Sequence, residues 1–174
     1  MEQIGLDFTV VEPGPLREVN SGRPEEVVLG NALAKANNVA EKHREAIVIS
    51  ADTVVVVGGE VLGKPVSASE AEEMLTLLQG RTHRVMTALA VVHAASGAVE
   101  SDLVETRVRM LPMTSEEIRA YVGTGEPMDK AGGYAIQGLG AVLVDEIEGC
   151  SFNVVGLPLS RLAMLLRRFG VRIP

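Results

Sequence analysis

Asp52 stands out in the sequence because it interrupts the apolar run "IVISADTVVVV". An ionised carboxylate among apolar neighbours costs several kcal/mol when nothing compensates its charge. We therefore expect a buried strand to break at Ala51, Asp52 and Thr53, with the carboxylate at the strand end beside a cleft. There it could bind a divalent cation or accept a proton from water. The alternative is an aspartate that only begins a turn or caps the backbone of Thr53, and both interpretations stay open.

Two lysines stand where they could bind phosphate. Lys64 follows Gly63, which lets the backbone approach a ligand closely, and precedes Pro65, which stiffens the chain. Its ammonium could bind phosphate oxygens as a point charge. Lys35 lies within a predicted helix and is one of only four lysines in the chain. Each could instead be a solvated surface lysine.

The segment "EPMDKAGGYAIQG", residues 126–138, is polar and rich in glycine, which is not typical of a core element. Asp129 and Lys130 can orient each other, and the glycines permit a tight backbone path. The amide of Gln137 offers a donor and an acceptor, which suits the imide edge of uracil or thymine. The sequence thus predicts a recognition loop, and the alternative is a surface loop held by its own side chains.

Other polar residues give weaker signals. Arg81 and His83 are candidates for a structural role, with His83 ordering a turn. His43 and His93 have no neighbours at metal-ligand spacing, so we expect no zinc site. Cys150 has no nearby base in the sequence, and a buried or incidental thiol is expected there.

Alternating helices and strands must position these residues. Alternation of Ile4, Leu6, Phe8 and Val10 predicts an initial strand. The remaining predicted elements are a helix in 23–43, two strands in 46–65, a helix capped by Ser67 or Ser69, a strand hairpin in 82–112, a helix capped by Thr114, a strand in 140–149 and a helix in 156–170. This order indicates an α/β fold of the mixed α+β kind, without the strict βαβ rhythm of a Rossmann domain.

The composition limits the function classes. A chain of 174 residues forms one domain or two small lobes. Its net charge of −7 argues against non-specific binding to nucleic acid or to an anionic membrane. No run reaches the roughly 18 apolar residues of a membrane span. The single cysteine excludes an internal disulfide and favours a reducing cytoplasm.

Several motifs together closely resemble the Maf family of nucleoside triphosphate pyrophosphatases. The matching stretches are "GLDFTVVEPG", "NALAKA", "SADTVVVVGGEVLGKP", "GRTHRVMTALAV", "GEPMDKAGGYAIQGLGA" and "NVVGLPLSRLAMLL". The resemblance implies a cytoplasmic enzyme that cuts a nucleoside triphosphate between its α and β phosphates and needs Mg²⁺ or Mn²⁺. It also implies two small lobes around a long twisted mixed sheet, an inosine-triphosphatase-like architecture, and a homodimer.

The resemblance also assigns roles to individual residues. Asp52 matches the family's proton acceptor or metal-linked aspartate, and Glu18 its second acidic residue at the metal. Lys35 and Lys64 match residues that face the phosphates, and Lys64 is also assigned to the catalytic group. Lys130, in the recognition loop, is assigned to substrate binding. Thr53 and Gln137 match positions tied to base choice. The form "GYAIQG" resembles the subgroup that acts on dTTP and UTP, with modified pyrimidine nucleotides as further substrates, rather than the one preferring 7-methyl-GTP.

The sequence departs from the family pattern at its start. Family members carry a strand and a turn of the type Ser-x-Ser-Pro-Arg-Arg before the "GLDF" region, whereas this sequence begins at Met1. We expect residues 1–174 to form a single Maf-like domain without that strand and turn. A misassigned start is one explanation. Two alternatives to the enzyme stay open: an impaired nucleotide-binding module in cell-division control, and a purine enzyme of the inosine-triphosphatase type.

Overall fold

A computed structural model describes residues 1–19 and 21–173. Its α-helices are α1 (Pro24–Ala40), α2 (Ala68–Leu78), α3 (Ser115–Val122), α4 (Ser151–Val154) and α5 (Leu159–Arg168). Its strands are β1 (Ile47–Val57), β2 (Glu60–Leu62), β3 (Thr82–His93), β4 (Ala98–Met110) and β5 (Val144–Glu148). Short 3-10 helices cover Glu2–Ile4, Glu126–Asp129, Ala131–Gly133 and Gly138–Leu143.

The five strands form one sheet in the order β2-β1-β3-β4-β5. β1 pairs with β2 in antiparallel fashion, with Val55 opposite Leu62. β4 and β5 are also antiparallel, and their register shifts between Arg109 and Met110. In β4 the buried side chains of Thr106, Val108 and Met110 alternate with exposed ones, so one face of the strand packs into the core. The expected mixed fold of helices and a sheet is confirmed.

The predicted break in the first strand of the sheet is wrong. β1 runs without interruption from Ile47 to Val57 and passes through Asp52. The charge of Asp52 is compensated by the ammonium of Lys35 at 2.6 Å. A paired carboxylate does not carry the cost of an uncompensated one, so the backbone stays in the sheet.

The predicted initial strand is also wrong. Residues 1–19 contain the 3-10 helix Glu2–Ile4 and no strand. Phe8 and Val10 are 43% and 81% exposed, so the alternating apolar residues do not form one buried face. Met1 and Leu6 instead pack against a core cluster that contains Leu89. Alternation alone does not supply the neighbouring strand that a strand needs for its backbone hydrogen bonds.

Two helix starts follow the local chemistry that the sequence predicts. Oγ of Ser67 accepts a hydrogen bond from the backbone N–H of Glu70 at the start of α2. Thr114 and Glu117 form a reciprocal capping box at the start of α3. Each arrangement satisfies backbone N–H groups that the first turn of a helix leaves unpaired.

The chain divides into two compact units. The first comprises Met1–Asp52, Thr87–Val104 and Gly156–Pro174, and the second comprises Thr53–Met86 and Glu105–Val155. One core cluster of the first unit contains the buried residues Leu89, Val91, Leu162, Leu165 and Leu166. A core cluster of the second unit includes residues of α2 and α3 together with the tyrosines Tyr121 and Tyr134. None of the helices within the described residues has the length and apolar character of a membrane span.

Candidate functional site

In the first unit, one lysine bridges two carboxylates. Nζ of Lys35 lies 2.6 Å from Oδ1 of Asp52 and 2.8 Å from Oε1 of Glu18. The side chain of Asp52 is 13% exposed, that of Lys35 25% and that of Glu18 54%. The structure thus brings together three residues that the sequence analysis selected from separate motifs.

Asn31 holds this group in place, and the sequence analysis missed it. It precedes Lys35 by one turn of α1, so both side chains lie on the same face of the helix. Its amide accepts a hydrogen bond from the N–H of Val19 at 2.8 Å and donates one to the carbonyl of Val19 at 3.2 Å. It also donates to Oδ2 of Asp52 at 3.4 Å. One buried amide therefore fixes both the chain next to Glu18 and the second oxygen of Asp52.

The bridging lysine is held in its charged form. Burial alone would lower the pKa of Lys35, but the hydrogen bonds to Asp52 and Glu18 and their negative charges together raise it above its ordinary value. The ammonium is therefore a fixed positive charge between two carboxylates. Such a group can stabilise negative charge that develops on a bound phosphate.

The carboxylate oxygens of this group are also possible ligands for a divalent metal. The described part of the chain holds no cluster of three or more His, Cys, Asp or Glu side chains that could bind a metal ion. Mg²⁺, however, is usually bound by one or two carboxylates together with substrate phosphates and water. The carboxylates of Asp52 and Glu18, joined through one lysine, fit a metal that arrives with a phosphate ligand.

A cavity of about 450 Å³ opens beside this group. Its lining residues are Pro13, Gly14, Leu16, Arg17, Glu18 and Lys35. The N–H of Gly14 donates a hydrogen bond to Oδ1 of Asn38 at 2.7 Å, which ties the segment to α1. The guanidinium of Arg17 and the ammonium of Lys35 give the cavity positive groups. Its volume lies within the range of small-molecule sites.

In the second unit, the predicted recognition loop packs against the turn that carries Lys64. The N–H of Gly132 donates to the carbonyl of Gly63 at 2.9 Å. Gly132 has φ of 72°, and a Cβ there would lie 2.8 Å from Cγ2 of Val55. Only glycine allows this conformation and this close approach. Lys64 itself is exposed.

Charged side chains surround this turn. Nζ of Lys130 lies 2.5 Å from Oδ1 of Asp129. The hydrogen bond from Lys130, with its charge and that of Lys64, lowers the pKa of Asp129. The predicted pairing of Asp129 with Lys130 is present, and Lys64 belongs to the same electrostatic group.

The two positions predicted for base choice differ in environment. Gln137 is exposed and directly precedes the 3-10 helix Gly138–Leu143. Thr53 is half-buried in β1. Glu126 and Tyr121 hydrogen-bond to the backbone on both sides of Gln137, and no sequence motif assigned them this role. The "EP" of the loop motif was the only signal that pointed to Glu126.

His83 is a buried structural residue of β3 and does not order a turn as expected. Its Nε2 lies 2.7 Å from the hydroxyl of Tyr134, and the two rings meet edge to face. Burial lowers the pKa of His83 to about 4, so the imidazole is neutral near pH 7. The pair fixes the middle of the recognition loop to β3.

Comparison with known proteins agrees with these motifs. A protein-family model described as "Maf-like protein" matches residues 1–169. The family resemblance drawn from the sequence is therefore confirmed.

Similar proteins occur in bacteria and archaea. The dTTP/UTP pyrophosphatase of Dictyoglomus turgidum is 51% identical over 170 residues, which are 97% of this chain and 88% of that protein. The dTTP/UTP pyrophosphatase of Dictyoglomus thermophilum is 48% identical over 172 residues, 98% of this chain and 89% of that protein. The dTTP/UTP pyrophosphatase of Methanosarcina barkeri is 51% identical over 150 residues, 86% of this chain and 76% of that protein.

Proposed function

The chain belongs to the Maf family, and on this premise we propose that it is a nucleoside triphosphate pyrophosphatase that hydrolyses dTTP and UTP. The observation that carries the proposal is the ammonium of Lys35 held between Asp52 and Glu18 beside the 450 Å³ cavity. The names of the similar proteins supply the two nucleotides.

The reaction is the attack of water on the α phosphorus. A bond forms between the water oxygen and this phosphorus, and the bond to the oxygen that bridges the α and β phosphates breaks. Pyrophosphate leaves with the electron pair, and the nucleoside monophosphate remains. Asp52 orients the water and accepts its proton, while Lys35 stabilises the negative charge that grows on the phosphates.

A divalent metal is part of the proposal, with Mg²⁺ or Mn²⁺ as the candidates that oxygen ligands favour. Asp52 and Glu18 would hold it. When bound, the metal would neutralise part of the triphosphate charge. Lys64 and Lys130 are assigned to substrate phosphates, because each places an ammonium on the turn or the recognition loop of the second unit.

Base choice is assigned to Gln137 and Thr53. The exposed amide of Gln137 can donate to a carbonyl of thymine or uracil and accept from the ring N–H between the two carbonyls. An amide that pairs with both groups discriminates against a base that lacks this pattern, because mismatched polar groups stay unpaired.

The proposal extends to a cytoplasmic location and a homodimer. The single cysteine, Cys150, is compatible with a reducing compartment. The net charge of −7 disfavours nucleic acid as a partner. Sedimentation equilibrium would reveal the dimer as twice the 18.4 kDa chain mass.

Product analysis with an Asp52→Asn variant tests the proposal. With dTTP or UTP and Mg²⁺, the wild type should release the monophosphate and pyrophosphate in equal amounts. Asp52→Asn should lower kcat about 100-fold or more while dTTP binding, measured by calorimetry, is retained. Asp145→Asn is the matched control, because Asp145 forms only an exposed ion pair with Arg109. Release of the diphosphate and orthophosphate, or full activity of Asp52→Asn, would contradict the proposal.

A further inference from the structure

The carboxylate of Glu126 accepts three hydrogen bonds, one from α3 and two from the 3-10 helix Gly138–Leu143 that follows the recognition loop. Oε2 receives the hydroxyl of Tyr121 at 2.8 Å and the N–H of Gly140 at 2.7 Å. Oε1 receives the N–H of Leu139 at 2.9 Å. A carboxylate that accepts three hydrogen bonds restrains the positions of the backbone groups that donate them.

Tyr121 extends this contact to the other side of Gln137. Its hydroxyl donates to Glu126 and accepts the N–H of Ala135 at 3.1 Å. Ala135 precedes Gln137 by two residues, and Leu139 follows it by two. The backbone is therefore tied to the same pair of side chains on both sides of Gln137.

Gly138 and Gly140 leave room for this pair, because a Cβ at either position would clash with it. A Cβ at Gly138, where φ is 70°, would lie 2.2 Å from Oε1 of Glu126. A Cβ at Gly140 would lie 2.5 Å from the hydroxyl of Tyr121. The loop is thus shaped around the carboxylate and the phenol.

The pair is itself anchored at the end of α3. The hydroxyl of Thr124 donates to the carbonyl of Tyr121 at 2.6 Å and accepts the N–H of Glu126 at 3.2 Å. Tyr121 is buried in the core of the second unit. The end of α3 and the turn after it therefore carry the two side chains that hold the backbone around Gln137.

We propose that Glu126 and Tyr121 are positioning residues that hold Gln137 for the imide edge of a pyrimidine. This inference rests on the proposed function. A side chain on an unrestrained loop loses conformational entropy when it binds, and fixing the backbone on both sides removes much of that cost. The gain should fall on contacts to the base, because the N–H groups that are held belong to Ala135, Leu139 and Gly140, which flank Gln137 and not Lys130.

Steady-state kinetics of two variants test this role. Glu126→Gln keeps the size and shape of the side chain. Its N–H₂ group, however, would replace one carboxylate oxygen and would face an N–H or O–H group that donates to that oxygen in the wild type. Tyr121→Phe keeps the buried ring and removes the hydroxyl from Ala135 and Glu126. Glu116→Gln is the matched control, because Glu116 lies on α3 and forms only an exposed ion pair with Arg119.

Substrates are dTTP, UTP and CTP, and inorganic tripolyphosphate serves as an inhibitor that lacks a base. Both variants should raise KM for dTTP and UTP about tenfold, with kcat changed less than about threefold. Their preference for these substrates over CTP, whose base lacks the ring N–H of thymine and uracil, should fall. The inhibition constant of tripolyphosphate should change less than about twofold, and the control should match the wild type.

Thermal melting shows whether each variant is folded. If Glu126→Gln is unfolded, the kinetics of Tyr121→Phe alone test the positioning role. An unchanged base preference, or an inhibition constant that rises in parallel with KM, would overturn the positioning role. A wild type that fails to cut dTTP and UTP would contradict the proposed function instead, so the two failures are distinguishable.

Discussion

Nζ of Lys35 and Oδ1 of Asp52 are 2.6 Å apart, which joins α1 to β1 through an ion pair with little exposure to solvent. The pair explains how a carboxylate is accommodated inside an apolar strand. Removing one partner would leave the other without its counter-charge in a partly buried site, and that cost exceeds the cost of losing an exposed pair.

Lys35→Met should therefore lower the free energy of unfolding by about 1 to 2 kcal/mol. Activity should fall at least about 100-fold, because the positive charge between the two carboxylates is lost. Urea denaturation and pyrophosphate release measure the two effects. For stability, Lys42→Met is the control, since Lys42 is exposed. Equal stability of the two variants would show that the ion pair is not structural.

Asn31→Ala should release the segment that carries Glu18. The variant removes the acceptor of the Val19 N–H and a donor to the Val19 carbonyl. The Val19 amide should lose its protection against hydrogen exchange, and stability should fall by about 1 to 2 kcal/mol. The amide of Ile118, bonded to the carbonyl of Thr114 in α3, serves as an internal reference. A Val19 amide that exchanges as slowly as in the wild type would contradict this role of Asn31.

Stability should fall as the pH drops from 6.5 towards 4, in part because of His83. Its pKa is about 4 in the folded protein and 6.5 ordinarily. Between these values the unfolded chain binds a proton that the folded chain does not, so acid favours unfolding. Between about pH 7 and pH 4.5 the wild type should lose about 2 to 3 kcal/mol more than His83→Gln, whose amide does not titrate there. Denaturation curves at both pH values measure this, and parallel losses in the two proteins would refute it.

Gly132→Ala should destabilise the second unit more than Gly125→Ala. Both glycines have positive φ, 72° and 79°, so both substitutions carry the conformational cost of that region. Only Gly132 adds a clash, 2.8 Å from Val55, whereas nothing lies within 4 Å of a Cβ at Gly125. The difference in the free energy of unfolding should be about 1 kcal/mol or more. Equal effects would mean that Val55 moves aside without cost.

Contacts between residues close together in the sequence were predictable, whereas ion pairs between distant residues were not. The caps of α2 and α3 were predicted because Ser67 and Thr114 bond to groups three residues away. The break at Asp52 was predicted wrongly because its partner Lys35 lies 17 residues away. A sequence pattern displays the cost of a charge but does not identify the group that offsets it.

In the candidate site, too, some residues were predictable from the sequence and others were not. Motif resemblance selected Glu18, Lys35 and Asp52, which the fold brings within hydrogen-bond distance. Asn31 and Glu126 were missed because their roles consist of contacts to backbone groups 12 to 14 residues distant. Backbone donors carry no sequence signal, so such positioning residues emerge only from the fold.

Pyrophosphate release from a panel of nucleoside triphosphates tests the central claim most directly. With Mg²⁺ or Mn²⁺, the wild type should have its highest kcat/KM for dTTP and UTP, and Asp52→Asn should lower release from both about 100-fold or more. Preference for ITP or another purine nucleotide, or no pyrophosphate from any member of the panel, would contradict the account.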